Sequence, residues 1–97
     1  MVRLIRSLET RVGLFPQAVA FAKEIAGYVR KQYGLDLKLF TDSKGVVYWI
    51  TDYKDYAHFG EVRTRIIADK DYWEIVAKAE DLFVEGSLVD EVITLID

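Results

Sequence analysis

Between Val46 and Tyr53 large side chains stand on both sides of an extended segment, with Val47, Trp49 and Thr51 alternating against Val46, Tyr48 and Ile50. A strand with one wet face alternates apolar with polar residues instead. Leu88 to Ile96 repeats the pattern: Leu88, Val92 and Ile96 fall on one side, and Val89, Ile93 and Leu95 on the other. A sheet holding both strands needs cover on two faces, and one layer of helices supplies only one. The chain has 97 residues, the length of one domain, and we expect a single domain over residues 1–97. The second layer of cover is then expected from a second copy, sheet against sheet about a twofold axis. The alternative is a monomer with apolar side chains scattered over a wet face, which soluble proteins tolerate one at a time. A composition of 52% hydrophobic and 13% aromatic residues is rich for a lone small domain and favours the pair.

The other segments switch between two periods. Val2 to Thr10 reads as a strand, with Val2, Leu4 and Leu8 on one side, Arg6 between them, and Ile5 opposite with Arg3, Ser7 and Glu9. From Phe15 the repeat becomes helical: Phe15, Val19, Ala22, Ala26, Val29 and Tyr33 recur at steps of four and three. Pro16 suits the first turn, Arg30 and Lys31 suit the last, and Gly34 suits a left-handed cap. Gly27 lies inside this helix at a cost in propensity, and a close packing contact is the expected reason for it. Leu35 to Phe40 reads as a second strand. The cluster Asp42-Ser43-Lys44-Gly45 turns it into Val46–Tyr53 as an antiparallel hairpin. Asp55 is placed to cap a helix carrying Tyr56, Phe59, Val62 and Ile66. Asp69 is placed to cap another carrying Tyr72, Ile75, Val76, Ala79, Leu82 and Phe83, with Gly86 at its end. The order β-α-β-β-α-α-β defines an α+β, ferredoxin-like fold with a four-stranded antiparallel sheet.

Several function classes are excluded at this level. No cysteine is present, so neither a disulfide framework nor a thiolate zinc site can form. With one histidine only carboxylates remain as ligands. Asp52, Asp55, Asp69 and Asp71 stand beside helix starts, where capping accounts for them, and no metal is expected. The net charge of −3 is spread along the chain without a basic stripe, which argues against nucleic acid as a partner. No apolar run approaches the roughly 20 residues that span a bilayer. The first residues lack the apolar stretch of a signal peptide. A cytoplasmic protein with no membrane partner is expected.

The element order, and certain stretches within it, resemble a known family. These are Gly13-Leu14-Phe15-Pro16 leading into Phe21-Ala22-Lys23-Glu24-Ile25, then Val47-Tyr48-Trp49-Ile50-Thr51-Asp52-Tyr53 before Asp55-Tyr56, then Asp69-Lys70-Asp71-Tyr72-Trp73 and Leu82-Phe83-Val84-Glu85-Gly86-Ser87. Over nearly its whole length the chain is similar to the dimeric α/β-barrel superfamily, which includes antibiotic-biosynthesis monooxygenase-like and NIPSNAP-like domains. The resemblance implies a homodimer whose two sheets form a barrel. It implies no single activity, because the superfamily spans cofactor-free oxygenases, haem-degrading enzymes, isomerases, dehalogenating enzymes and proteins with no known reaction. The haem-degrading members use an Asn, a Trp and an axial His. This chain has no asparagine, so that set is incomplete and no cofactor is expected.

Within such a fold the candidate site is an apolar cleft between sheet and helices, lined by Trp49, Tyr56, His58, Phe59 and Tyr72. His58, the single histidine, is the candidate general base or proton shuttle; the plainer alternative is a boundary residue at a helix start. Arg6 takes a slot that Leu4 and Leu8 mark as buried, so it needs an acid or a bound anion beside it, and Asp90 is the expected partner. Trp73 could lie over the same cleft. One reading is thus a small-molecule binder or enzyme, monooxygenase- or isomerase-like, acting on an apolar or aromatic molecule. The other is a non-catalytic dimeric module that binds a ligand or a protein.

Overall fold

The structure is a computed structural model describing residues 1–97. Its elements follow in the order β1 (Val2–Glu9), α1 (Phe15–Tyr33), β2 (Asp36–Thr41), β3 (Val46–Tyr53), α2 (Tyr56–Ile67), α3 (Lys70–Val76) and β4 (Val89–Thr94), with a 3-10 turn over Ala77–Ala79. The strands form one antiparallel sheet in the order β2-β3-β1-β4. This is the α+β, ferredoxin-like arrangement, with β1 and β3 in the middle.

Local chemistry sets most boundaries. Pro16 sits in the first turn of α1, and Gly34 closes that helix in the left-handed conformation, its N–H donating to the Arg30 carbonyl. Asp55 caps α2 by accepting from the His58 amide, and Asp69 caps α3 by accepting from the Tyr72 amide. In the β2–β3 turn, Asp42 Oδ1 accepts from the amides of Lys44 and Val46, and Gly45 supplies the positive φ that closes it.

The last helix departs from the periodic expectation. Leu82 and Phe83 continue the helical spacing, yet α3 ends at Val76 and the 3-10 turn at Ala79. Asp81 then takes a positive φ and the chain turns extended. The reason is tertiary: Phe83 forms a bridge with Thr10, Val84 N donates to Glu9 O, and Arg11 N donates to Leu82 O. The backbone groups that would have continued the helix extend the edge of β1 instead.

Gly27 also departs from expectation. A Cβ built there meets nothing within 4 Å, so no close contact requires the glycine. Gly27→Ala is therefore expected to stabilise the fold by about 1 kcal/mol, readable as a rise in the urea midpoint. A lowered midpoint would contradict this.

Alternation in β1 and β3 puts Val2, Leu4, Arg6, Leu8 and Val47, Trp49, Thr51, Tyr53 on the face beneath the helices, paired in register across the two strands. Ala18, Phe21, Ala22, Ile25, Ala26 and Val29 of α1 pack down onto it. Phe21, Trp49 and Phe83 meet edge to face with centroids 5.9–6.4 Å apart. The helices do not cover β4, every residue of which is exposed in the single chain.

One polar cluster ties α1 to α3. The hydroxyls of Tyr28 and Tyr33 both donate to Asp69 Oδ2, at 2.6 and 2.5 Å. The Arg65 guanidinium lies 5.0 Å above the Tyr33 ring. Partial burial and the bond to Asp69 push the Tyr33 hydroxyl up to about 12. The two tyrosines hold the Asp69 carboxyl below the usual carboxylate range. Asp42, Asp52 and Asp90 are lowered in the same direction, chiefly by bonds from the Val46 amide, Arg3 and Arg6 respectively. A carboxylate lowered by folding stabilises fully above its unfolded value, about 3.9 for Asp, and loses that contribution as pH falls through the folded value. The thermal midpoint is thus expected to hold from neutrality to about pH 5 and to fall below about pH 4. Asp69→Asn should flatten that fall, and an unchanged acid limb would remove Asp69 from the account.

Candidate functional site

Between the helix-facing side of the sheet and α1 and α3 lies an open-mouthed cavity of about 330 Å³. The volume is near the lower end of the range for small-molecule sites. Sixteen residues line it, and only Arg6 and Thr51 among them are not hydrophobic or aromatic. β1 contributes Leu4, Arg6 and Leu8; β3 contributes Trp49, Thr51 and Tyr53; α1 contributes Phe21, Ile25 and Val29; α3 contributes Tyr72, Trp73 and Val76. Strand alternation explains the β1 and β3 sets, since each is a run of second neighbours on one face.

Arg6 sits in an otherwise apolar row because Asp90 stands directly opposite it on β4. Its Nε and Nη2 donate to Asp90 Oδ1 and Oδ2 at 2.7 and 2.8 Å, a bidentate pair about one-third exposed on each side. The expected partner is thus the one found. Trp49 and Trp73 differ in their polar atoms. Trp73 Nε1 donates to the Ile67 carbonyl at 3.1 Å, which fixes a half-exposed ring beside the cavity. Trp49 Nε1 is occluded and has no acceptor within the protein.

Of the residues singled out from the sequence, Arg6, Trp49, Tyr72 and Trp73 line the cavity together. Tyr56, His58 and Phe59 are not among the lining residues. Tyr56 is 59% exposed, and its hydroxyl bonds Thr94 Oγ1 at 2.7 Å. Phe59 packs edge-on against Tyr53 with centroids 5.0 Å apart. His58 Nδ1 accepts from the Lys54 amide at 3.1 Å, and its ring lies 5.6 Å from that of Tyr53. That bond ties the first turn of α2 back to the residue before the Asp55 cap. Tyr53 itself was missed, although it is the next residue along the Val47-Trp49-Thr51 face. No group of three or more His or acidic side chains is arranged to hold a metal, and no helix is long and apolar enough to cross a membrane.

No family model matches the sequence, and no curated protein matches it. Solved structures do match the fold. A NIPSNAP domain protein from Burkholderia xenovorans superposes with a TM-score of 0.82 at 18% identity, over 98% of this chain and 94% of its own. A NIPSNAP family protein from Agrobacterium tumefaciens gives 0.81 at 14% identity, over 99% and 93%. The chain has the ferredoxin-like α+β fold of these proteins. An antibiotic biosynthesis monooxygenase shares that fold, with a TM-score of 0.78 at 14% identity over 100% of both chains. At these identities the fold is common ground and chemistry is not.

Proposed function

We propose that this protein binds a small apolar or aromatic molecule in the cavity beneath α1 and α3, and works as a homodimer paired through the outer face of its sheet. The observation that carries the ligand reading is the cavity itself: a space of about 330 Å³ with an almost wholly apolar wall. Filling such a space with an apolar body gains contacts that the surrounding side chains do not make with one another. Pairing is supported by the outer face, where Ile5, Tyr48 and Ile50 stand with the exposed Phe40, Val89 and Ile93. A cytoplasmic setting fits the cysteine-free sequence.

Conversion of the ligand is a second step in this reading, and monooxygenase- or isomerase-like chemistry is the class suggested by the fold shared with the antibiotic biosynthesis monooxygenase. The polar groups on the cavity wall are Arg6, Thr51, Tyr53 and Tyr72. His58 takes part only if α2 moves toward the wall. A binding module without turnover uses the same cavity, and assay of bound compounds for chemical change separates the two.

The chain offers its own probe. It has two tryptophans, and both line the cavity. Bromobenzene, whose heavy atom quenches indole emission on contact, is expected to quench in a saturable manner. Ala79→Phe, which places bulk on the cavity wall, should abolish saturation while the far-ultraviolet dichroism is kept. Linear quenching equal to that of the urea-unfolded chain, by bromobenzene and by its polar para-substituted derivatives alike, would reject the ligand reading.

A further inference from the structure

We propose that the ligand is a small organic acid, its carboxylate held by Arg6, Tyr53 and Tyr72 and its apolar body lying against Trp49 and α1. This rests on the ligand-binding reading above and adds the chemistry of the head group.

The inference comes from an accounting of hydrogen-bonding groups. Thr51, Tyr53 and Tyr72 are only 4%, 6% and 9% exposed, and all three line the cavity. None of their hydroxyls has a partner within the protein, and none is occluded as Trp49 Nε1 is. Three hydroxyls of nearly buried residues thus open onto a single cavity wall, where an occupant of the cavity can pair with them. Arg6 adds to them. A guanidinium carries five N–H donors and no acceptor. Asp90 takes Nε and one N–H of Nη2, which leaves the rest of the fork. Every free group on this wall can donate, and the complement is a head group made of acceptors.

Charge selects among acceptors. Arg6, Tyr53 and Tyr72 lie close enough to act on one another electrostatically. Arg6 is the one charged residue among those that line the cavity, and its partner Asp90 is not among them. An anionic head complements it. A planar carboxylate also matches the edge of a guanidinium, whereas the aliphatic part of the wall offers an ion nothing. The ligand is therefore amphipathic: one carboxylate on an apolar body.

The test compares 4-bromobenzoate, 4-bromobenzamide and bromobenzene by saturable tryptophan quenching at neutral pH. The acid is expected to bind about tenfold more tightly than its isosteric amide. Tyr53→Phe with Tyr72→Phe leaves the Arg6–Asp90 pair intact and should erase most of that preference. Arg6→Met should erase it too, and if that variant does not fold the tyrosine pair still decides. Equal affinity for acid and amide overturns the head-group proposal and leaves the cavity reading standing. Saturation by bromobenzene alone does the same. Failure of all three compounds to saturate overturns both.

Discussion

Replacing Phe21 by alanine is expected to cost the fold about 3–5 kcal/mol. Phe21 is the hinge of the aromatic trio, contacting the rings of both Trp49 and Phe83 edge to face. It also holds α1 to the sheet together with Ile25 and Val29, while the other buried positions of the stripe are the small residues Ala18, Ala22 and Ala26. Small residues bring the helix close but bury little area, so the large ring supplies a disproportionate share of the transfer free energy. Relaxation into the space is hindered. Phe21 already borders the cavity, and its removal enlarges an existing void that the sheet and α3 keep open. Against a total stability of about 5–15 kcal/mol, the loss is a large fraction of what holds the chain folded. Urea unfolding followed by dichroism measures it. Val12→Ala serves as the comparison: that side chain is fully exposed and the change should stay within about 0.5 kcal/mol. A Phe21→Ala cost equally small would mean that the trio contributes little to the core.

The parts of this fold that were legible in the sequence are those written in local chemistry. Gly34, Asp55 and Asp69 end or start helices through bonds within a few residues, and the Asp42–Gly45 turn closes through its own amides. Arg6 was legible for a different reason. A charge in an apolar row demands a partner, and a strand with a matching acid in an apolar row supplies one. What could not be read depends on contacts distant in sequence. Leu82 and Phe83 fit a helical repeat perfectly well, and only the edge of β1, more than seventy residues earlier, turns them into an extended segment. The cavity is harder still, because it consists of space that side chains fail to fill. Trp49 and Tyr72 were found by residue type and Tyr53 was overlooked. The hydroxyl accounting that distinguishes Tyr53 and Thr51 exists only once every other partner is known. Tyr56, His58 and Phe59 share an aromatic-rich helix start with no place on the cavity wall, since α2 leans on the strand end through Tyr53.

Ile50→Glu is expected to split the proposed homodimer while leaving the protomer folded. Ile50 lies mid-way across the outer face, in a row that runs Lys38, Ile50, Ile5, Glu91 from one edge of the sheet to the other. Its side chain points away from the helices, so a carboxylate there costs the single chain little. In a sheet-to-sheet pair it is buried without a partner, and twofold symmetry introduces the charge twice. The penalty is several kcal/mol, enough to weaken association by about a hundredfold or more. Sedimentation should give a mass of two chains for the parent protein at micromolar concentration and one chain for the variant. Dichroism should be unchanged, as should the quenching behaviour of the cavity on the opposite face. A parent mass of one chain would reject the pairing outright. The ends of the row add a finer expectation. A twofold axis parallel to the strands lays Lys38 of one chain over the partner's Glu91, so Lys38→Glu should loosen the dimer and Lys38→Glu combined with Glu91→Lys should restore it. If the exchange restores nothing, the axis runs across the strands instead, because that orientation sets like edges over one another.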